Sequence, residues 1–242
     1  MSKYINAHCH LQNIENLDAV LGKSRGMGVC GFICNAALPS DWDVVLKLTQ
    51  HYDDVYGCVG IHPWYIQKSP NDWMYFMGKL LRENAALMVG EIGLDKLHPD
   101  IEMQESVFAD QLYLAKDFNR SVHIHCVAAW DKLLRILKVT GAHELPAIVL
   151  HDFTGTKEIL GQLIKNYNVY FSFSASVLDG RRDRLIELIK STPSDRMLVE
   201  SDEKEPSIVI DVVKKIADIK SVAYGKIADT IYKNTLKIIK NG

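Results

Sequence analysis

The sequence predicts an α/β chain folded as a (β/α)8 TIM barrel, and three observations carry that reading. Short, nearly continuously apolar runs alternate with longer amphipathic runs, the pattern of parallel strands covered on both faces and joined by helices. There are eight such strand-like runs within about 200 residues, the number that closes this barrel. Histidines and carboxylates gather at the C-terminal ends of the runs and hardly at their N-terminal ends. A doubly wound open sheet shares the alternation, and the placement of the polar residues favours the barrel, whose chemistry converges on one axis.

In chain order the expected strands are Tyr4–Asn6, Val29–Cys34, Val55–Ile61, Ala86–Val89, Val122–Cys126, Ala147–Leu150, Val169–Ser174 and Met197–Glu200. The expected helices are Leu17–Lys23, a segment capped by Asp41 and running to Tyr52, Asp72–Asn84, Glu102–Asp117, Trp130–Val139, Lys157–Asn166 and Asp183–Lys190. Two more helices are expected around Ser207–Ala217 and Lys226–Ile239. One domain spanning 1–242 accounts for the whole alternation.

The chain has 242 residues, 48% of them hydrophobic, and a formal net charge of −2, enough for a large core and not the charge of a polycation seeking nucleic acid throughout. The lysines between Lys204 and Lys240 are interleaved with acids and read as a solvated face. Five cysteines, mostly in apolar runs, read as buried reduced thiols of a cytoplasmic protein. No signal-peptide core and no membrane-length apolar run is evident. No obligate protein partner is expected, and a monomer accounts for the sequence.

The strand ends are where chemistry is expected. The first ends in Asn6-Ala7-His8-Cys9-His10, and in a strand His8 and His10 share a face. Later runs end in Ile61-His62-Pro63, Gly90-Glu91 through Asp95, His123-Ile124-His125, His151-Asp152 and Glu200-Ser201-Asp202. Imidazoles mixed with carboxylates suit zinc, manganese, iron or nickel, and the carboxylates also admit magnesium. A carboxylate between two divalent ions can bridge them, and such ions acidify water without Ser or Cys as nucleophile. Asp202, at the last strand, is placed to bind metal and to accept the proton of the attacking water.

The stretches NAHCHL, VGIHP, VGEIGLD, MQESVFADQLYLAKDFNRSVHIHC, VLHDFTGT, YFSFSAS and RMLVESD together resemble the TatD family of metal-dependent hydrolases, within the amidohydrolase-like barrel superfamily. They cover about the first 200 residues in the family's order. The resemblance implies a metallo-dependent hydrolase barrel and a metal set of His8, His10, Glu91, His125, His151 and Asp202. Glu91 is then the bridge, and Glu91 and Asp202 are the catalytic carboxylates. It further implies a deoxyribonuclease or phosphodiesterase, often a 3′→5′ exonuclease, acting on DNA or a small phosphodiester with two divalent ions.

Departures from the family pattern concern the substrate side. Asn6 stands where an Asp is usual, and Trp64 replaces a second histidine after His62-Pro63. Cys126-Val127-Ala128-Ala129 removes an arginine that would pair with phosphate, and the loop after Asp202 is nearly absent. His123 replaces an apolar residue. Metal chemistry is therefore expected to persist while substrate recognition has changed. His62, Asp95 and Trp64 are the expected substrate-binding residues: Trp64 either stacks on a base or caps the barrel as a lid, and Asp95 either orients a ligand or caps a turn. His123 and Glu200, each two residues before a ligand, are expected one layer deeper, hydrogen-bonded or in the core. His51, His98 and His143 read as surface residues. The alternative activities are hydrolysis of a different ester, amide or phosphomonoester, or catalytically weakened binding on the same fold.

Overall fold

The structure is a computed structural model that describes residues 2–241. Eight strands form one parallel sheet in the order of the sequence: β1 (Tyr4–Cys9), β2 (Val29–Asn35), β3 (Val55–Val59), β4 (Met88–Asp95), β5 (Val122–Val127), β6 (Ile148–Leu150), β7 (Val169–Phe173) and β8 (Met197–Val199). The sheet closes where Asp202, just beyond β8, bridges in parallel to Cys9 and its amide donates to the His8 carbonyl at 3.1 Å. This is the expected (β/α)8 barrel.

Helices α1 (Leu17–Gly26), α2 (Pro39–His51), α3 (Trp73–Glu83), α4 (Ile101–Asp117), α5 (Trp130–Val139), α6 (Lys157–Asn166), α7 (Asp183–Ser191) and α8 (Val209–Lys220) follow the strands, and α9 (Tyr224–Asn241) ends the chain. Their apolar residues fall at helical spacing. In α5 Leu133, Ile136 and Leu137 are buried, and in α7 Leu185, Leu188 and Ile189. Thr156 caps α6 by accepting from the amide of Ile159. Asp41 does not sit at the cap: Pro39 takes the first helical position, and Asp41, two residues on, reaches back to accept from the amides of Ala37 and Leu38.

The barrel interior has two storeys. Its lower part is apolar, with Ile33, Cys58, Met88, Val149, Tyr170 and Leu198 packed together and Ile238 of α9 closing the bottom. Its upper part is polar and carries the site. Four strands run further than expected: β2 and β5 by one residue each, β1 through His8 to Cys9, and β4 through Glu91 to Asp95. Apolar composition alone understates such strands, because inward residues at the upper end are polar. Among the described residues no helix is long and apolar enough to cross a membrane.

Candidate metal centre

Glu91, on the interior of β4, is the hub. Its Oε2 lies 3.3 Å from His8 Nε2 and 3.3 Å from His10 Nε2. Its Oε1 lies 3.3 Å from His62 Nε2, 3.1 Å from His125 Nδ1 and 2.9 Å from His151 Nε2. One buried carboxylate thus divides five imidazoles into two groups, one on each oxygen. Asp202 completes the first group, with Oδ1 3.4 Å from His10 Nε2 and 4.0 Å from His8 Nε2. Its side chain is 41% exposed, whereas that of Glu91 is 4% exposed, so Asp202 faces the open mouth.

The donor set fits divalent metal. His10 Nδ1 lies 2.8 Å from the Asn35 carbonyl, which accepts only from a protonated nitrogen and leaves Nε2 bare. In the neutral ring that Nε2, 3.3 Å from His8 Nε2, is open to a cation; without one, a proton there serves. Two nitrogens bound to one zinc at ~2.05 Å in tetrahedral geometry lie about 3.3 Å apart. Three sets of potential ligand atoms come within 4.8 Å of one another: His8, His10 and Glu91; His8, His151 and Asp202; and His62, Glu91 and His125.

The electrostatics agree. Burial favours neutral groups here, yet Glu91 is held well below the usual carboxylate range by the surrounding imidazoles of His62, His151 and His8 and by His10. Burial would likewise raise Asp202, and the hydrogen bond from His10 with the charges of His8 and His151 brings it down to about 2. His10 resists the downward push of burial and rises to about 10 beside Asp202 and Glu91. His151 and His125 are raised against burial in the same way, by Glu91 with Glu200 and by Asp95 with Glu91 respectively. The site draws positive charge, which protons or metal ions can supply. His62 is lowered, burial prevailing over Glu91.

Second contacts orient the ring. His151 Nδ1 lies 3.4 Å from Glu200 Oε1, and Glu200 also accepts from the Asp152 amide and from the Ser172 hydroxyl. Asn6 accepts from the Ser201 amide and donates to its hydroxyl, tying β1 to the end of β8. Gly93 has φ +142, and a Cβ there would fall 1.9 Å from the His125 carbonyl oxygen, so only glycine lets β4 approach β5 at this ligand. Ala128, Asp152 and Asp202, each just past a strand end, all adopt positive φ, at 52°, 36° and 55°. Such backbone costs about 1–3 kcal/mol per residue and collects at functional sites.

All six residues expected to hold metal come together. The three expected to bind substrate divide. His62 faces Glu91 as closely as the expected ligands do. Trp64 lines the cavity mouth. Asp95 lies behind His125 and off the cavity wall: one oxygen accepts from the Leu97 amide and the other from Trp64 Nε1 at 2.7 Å, 3.5 Å from His125 Nε2. It therefore both caps a turn and orients a ring. His123 is buried, and neither ring nitrogen has a hydrogen-bond partner among the described residues, so of the two deeper roles expected it takes the core one. His98, expected on the surface, is half-buried and stacks on Trp64, because the β4 to α4 loop folds back over the mouth. Cys9 and Cys126 belong to the core outside the barrel, and burial pushes the Cys126 thiol up to about 12 and that of Cys9 higher than its ordinary value. Asn13, Tyr65 and Glu203 also line the cavity. Position just past a strand or ligand was their only signal in the sequence.

The model of the family described as TatD related DNase matches residues 5–240. The chain is 30% identical over 195 residues to the 3′-5′ ssDNA/RNA exonuclease TatD of Erwinia tasmaniensis, covering 79% of this chain and 74% of that one. It is 29% identical over 210 residues to the metal-dependent hydrolase YabD of Bacillus subtilis, covering 81% of each. The solved structure of YjjV, a TatD homologue from Escherichia coli, superposes with a TM-score of 0.90 at 24% identity, over 97% of each chain, which speaks for the shared fold. The chain belongs to the TatD-related DNase family and is a metal-dependent hydrolase.

Proposed function

We propose that the protein is a phosphodiesterase that removes nucleotides from the ends of single-stranded DNA, of the 3′→5′ exonuclease type. His8, His10, Glu91, His125, His151 and Asp202 would hold two divalent ions, zinc, magnesium or manganese. The observation that carries this reading is the division of five imidazoles between the two oxygens of Glu91. The exonuclease named above, a 30% identical relative, supports the substrate class.

Bound divalent ions supply Lewis-acid polarisation of a phosphoryl oxygen and acidify water. The chain does the rest. Glu91, buried and ionised, fixes the spacing of the two imidazole groups. Asp202 is ionised at neutral pH and is the one exposed carboxylate among the proposed ligands, so it takes the proton of the attacking water. Asp95 and Glu200 hold His125 and His151 in fixed orientations.

Release of mononucleotides from the 3′ end of single-stranded DNA, supported by Mg²⁺, Mn²⁺, Zn²⁺ or Co²⁺ and suppressed in Asp202→Asn, tests the proposal. Absence of phosphodiester cleavage with every one of these ions would overturn it. One observation favours a second reading. The residues lining the metal cavity include no Lys or Arg, so a small ester, amide or phosphomonoester is the competing substrate, and a panel of such compounds separates the two.

A further inference from the structure

Trp64 separates two cavities, and we propose that the outer one is a stacking subsite for a nucleobase next to the scissile phosphate of a single-stranded nucleic acid. The proposal rests on the phosphodiesterase reading above. The metal cavity has a volume of about 170 Å³ and shares Trp64 with a neighbour of about 330 Å³. Pro63, Lys68, His98, Pro99 and Met103 are among the residues lining that neighbour.

The shared wall is flat and anchored. The Trp64 and His98 rings stack with centroids 4.4 Å apart and planes 23° from parallel. Trp64 Nε1 donates to Asp95 at 2.7 Å, and its amide donates to His62 Nδ1 at 3.2 Å. The indole is therefore fixed relative to the groups around Glu91 before any ligand arrives, which lowers the entropic cost of binding. A lid closed over the barrel would be covered, yet Trp64 is 49% exposed, with Met103 and Leu97 exposed nearby. An aromatic ring held at its edge and left open to solvent is a stacking platform.

Lys68 supplies the charge that the metal cavity lacks. It is exposed, no carboxylate lies within ion-pair range of it among the described residues, and its Nζ is 5.1 Å from the ring centroid of Tyr65. Tyr65 lines the metal cavity, so this cation stands where the two cavities meet, suited to a backbone phosphate. The amides that could read base edges are engaged within the protein. Gln104 bonds the Asp95 amide and the Asp95 and Pro99 carbonyls, and Gln67 donates to Asp100. Recognition at this subsite is accordingly by stacking and indifferent to base identity.

The test uses 3′-labelled single-stranded oligonucleotides, intact or carrying an abasic residue at the terminal or the penultimate position. Cleavage is followed with metal, and binding by fluorescence anisotropy in EDTA, for the wild type, Trp64→Ala, Trp64→Phe and His98→Ala. His98→Ala keeps the Trp64–Asp95 bond and so controls for disturbance of His125. The wild type should disfavour the abasic residue at one of the two positions by about 5- to 140-fold in KM or Kd. That ratio should fall toward one in Trp64→Ala, decline in His98→Ala and survive in part in Trp64→Phe. Cleavage with no abasic penalty at either position, or with a penalty that Trp64→Ala preserves, overturns the subsite and leaves the phosphodiesterase reading standing; binding with no Trp64-dependent penalty and no cleavage overturns both. Binding with a Trp64-dependent penalty but no cleavage upholds the subsite and overturns that reading. Neither binding nor cleavage overturns both.

Discussion

Removing metal should make the stability of this protein fall as pH rises above neutrality. The negative charge of Glu91 and Asp202 can be balanced by metal or by protons on the surrounding imidazoles, and without metal the protons must serve. His10 rises from an ordinary 6.5 to about 10, as Asp202 and Glu91 outweigh its burial. Its folded value lies above its unfolded one. Its contribution is therefore complete below about pH 6.5 and is lost as pH climbs toward 10. At about 1.4 kcal/mol per pH unit that interval sets a ceiling of about 5 kcal/mol. Sharing of protons among His10, His125 and His151 reduces it, and about 2–5 kcal/mol is expected. A 242-residue chain unfolds with roughly 0.5 kcal/mol per degree of entropy, so Tm should drop by about 4–10 °C between pH 6 and pH 10. Asp202 acts in the opposite sense: its folded value of about 2 lies below the ordinary 3.8, so its contribution is present above 3.8 and lost in stronger acid.

The assay is calorimetry of the chelated protein across this range, beside His10→Asn and beside protein reloaded with zinc. Lysines, tyrosines and thiols also titrate near pH 10, so the decisive quantity is the difference between wild type and variant. His10→Asn should have a shallower slope, and zinc should remove most of the wild-type slope because metal replaces the protons. A metal-free Tm that is flat or rising from pH 6 to 10, or an unchanged slope in His10→Asn, would refute the reasoning.

Further outcomes follow from particular contacts. Gly93→Ala should abolish metal retention, measured by elemental analysis, since its Cβ would collide with the His125 carbonyl. Asp95→Asn should lower metal affinity by about 10- to 100-fold, measured by competition with a chelating dye, because His125 loses its orienting carboxylate. In the native state a maleimide should label Cys30 alone, scored by intact mass, since Cys9, Cys34, Cys58 and Cys126 are buried. Global unfolding should expose all five.

The barrel was legible because its strands obey a simple rule: a strand covered on both faces is apolar along its length. The same rule explains the misplaced ends. Tyr4–Asn6 and Ala86–Val89 stop where inward residues turn polar, and those residues, His8 and Glu91, are the site itself. The six proposed ligands were picked out for the complementary reason, each being a histidine or carboxylate at or just past the end of an apolar run; His123 and Glu200, ending runs too, have other places in the structure. The fifth imidazole on Glu91, His62, could not be told from a pocket residue, because its reach depends on the turn at Pro63. His98 was invisible: nothing in its neighbours' identities reports that the loop after β4 returns across the mouth.

That loop explains why the two halves of the site differ in legibility. Of the proposed ligands His8, Glu91 and His125 stand on strands and His10, His151 and Asp202 within three residues of a strand end, and strands fix side-chain direction through their period of two. The proposed substrate side is built from Trp64, Tyr65, Lys68 and His98, on the turn after β3 and the loop after β4. Their mutual arrangement depends on where each loop's hydrogen bonds go, and here Trp64 Nε1 to Asp95 and Gln67 to Asp100 tie the turn after β3 to the end of β4 and its loop. The loss of an arginine after His125 reads in the sequence as loss of phosphate binding. In the folded chain Lys68 lines the cavity that adjoins the metal cavity across Trp64. A cationic role can therefore move between loops while its residue vanishes from the motif, and sequence patterns record strand positions far better than such exchanges. Lys68→Ala should test the exchange: if Lys68 bears the substrate's charge, the salt dependence of oligonucleotide binding should weaken by about one counterion, and an unchanged salt slope would leave the lost arginine without a replacement.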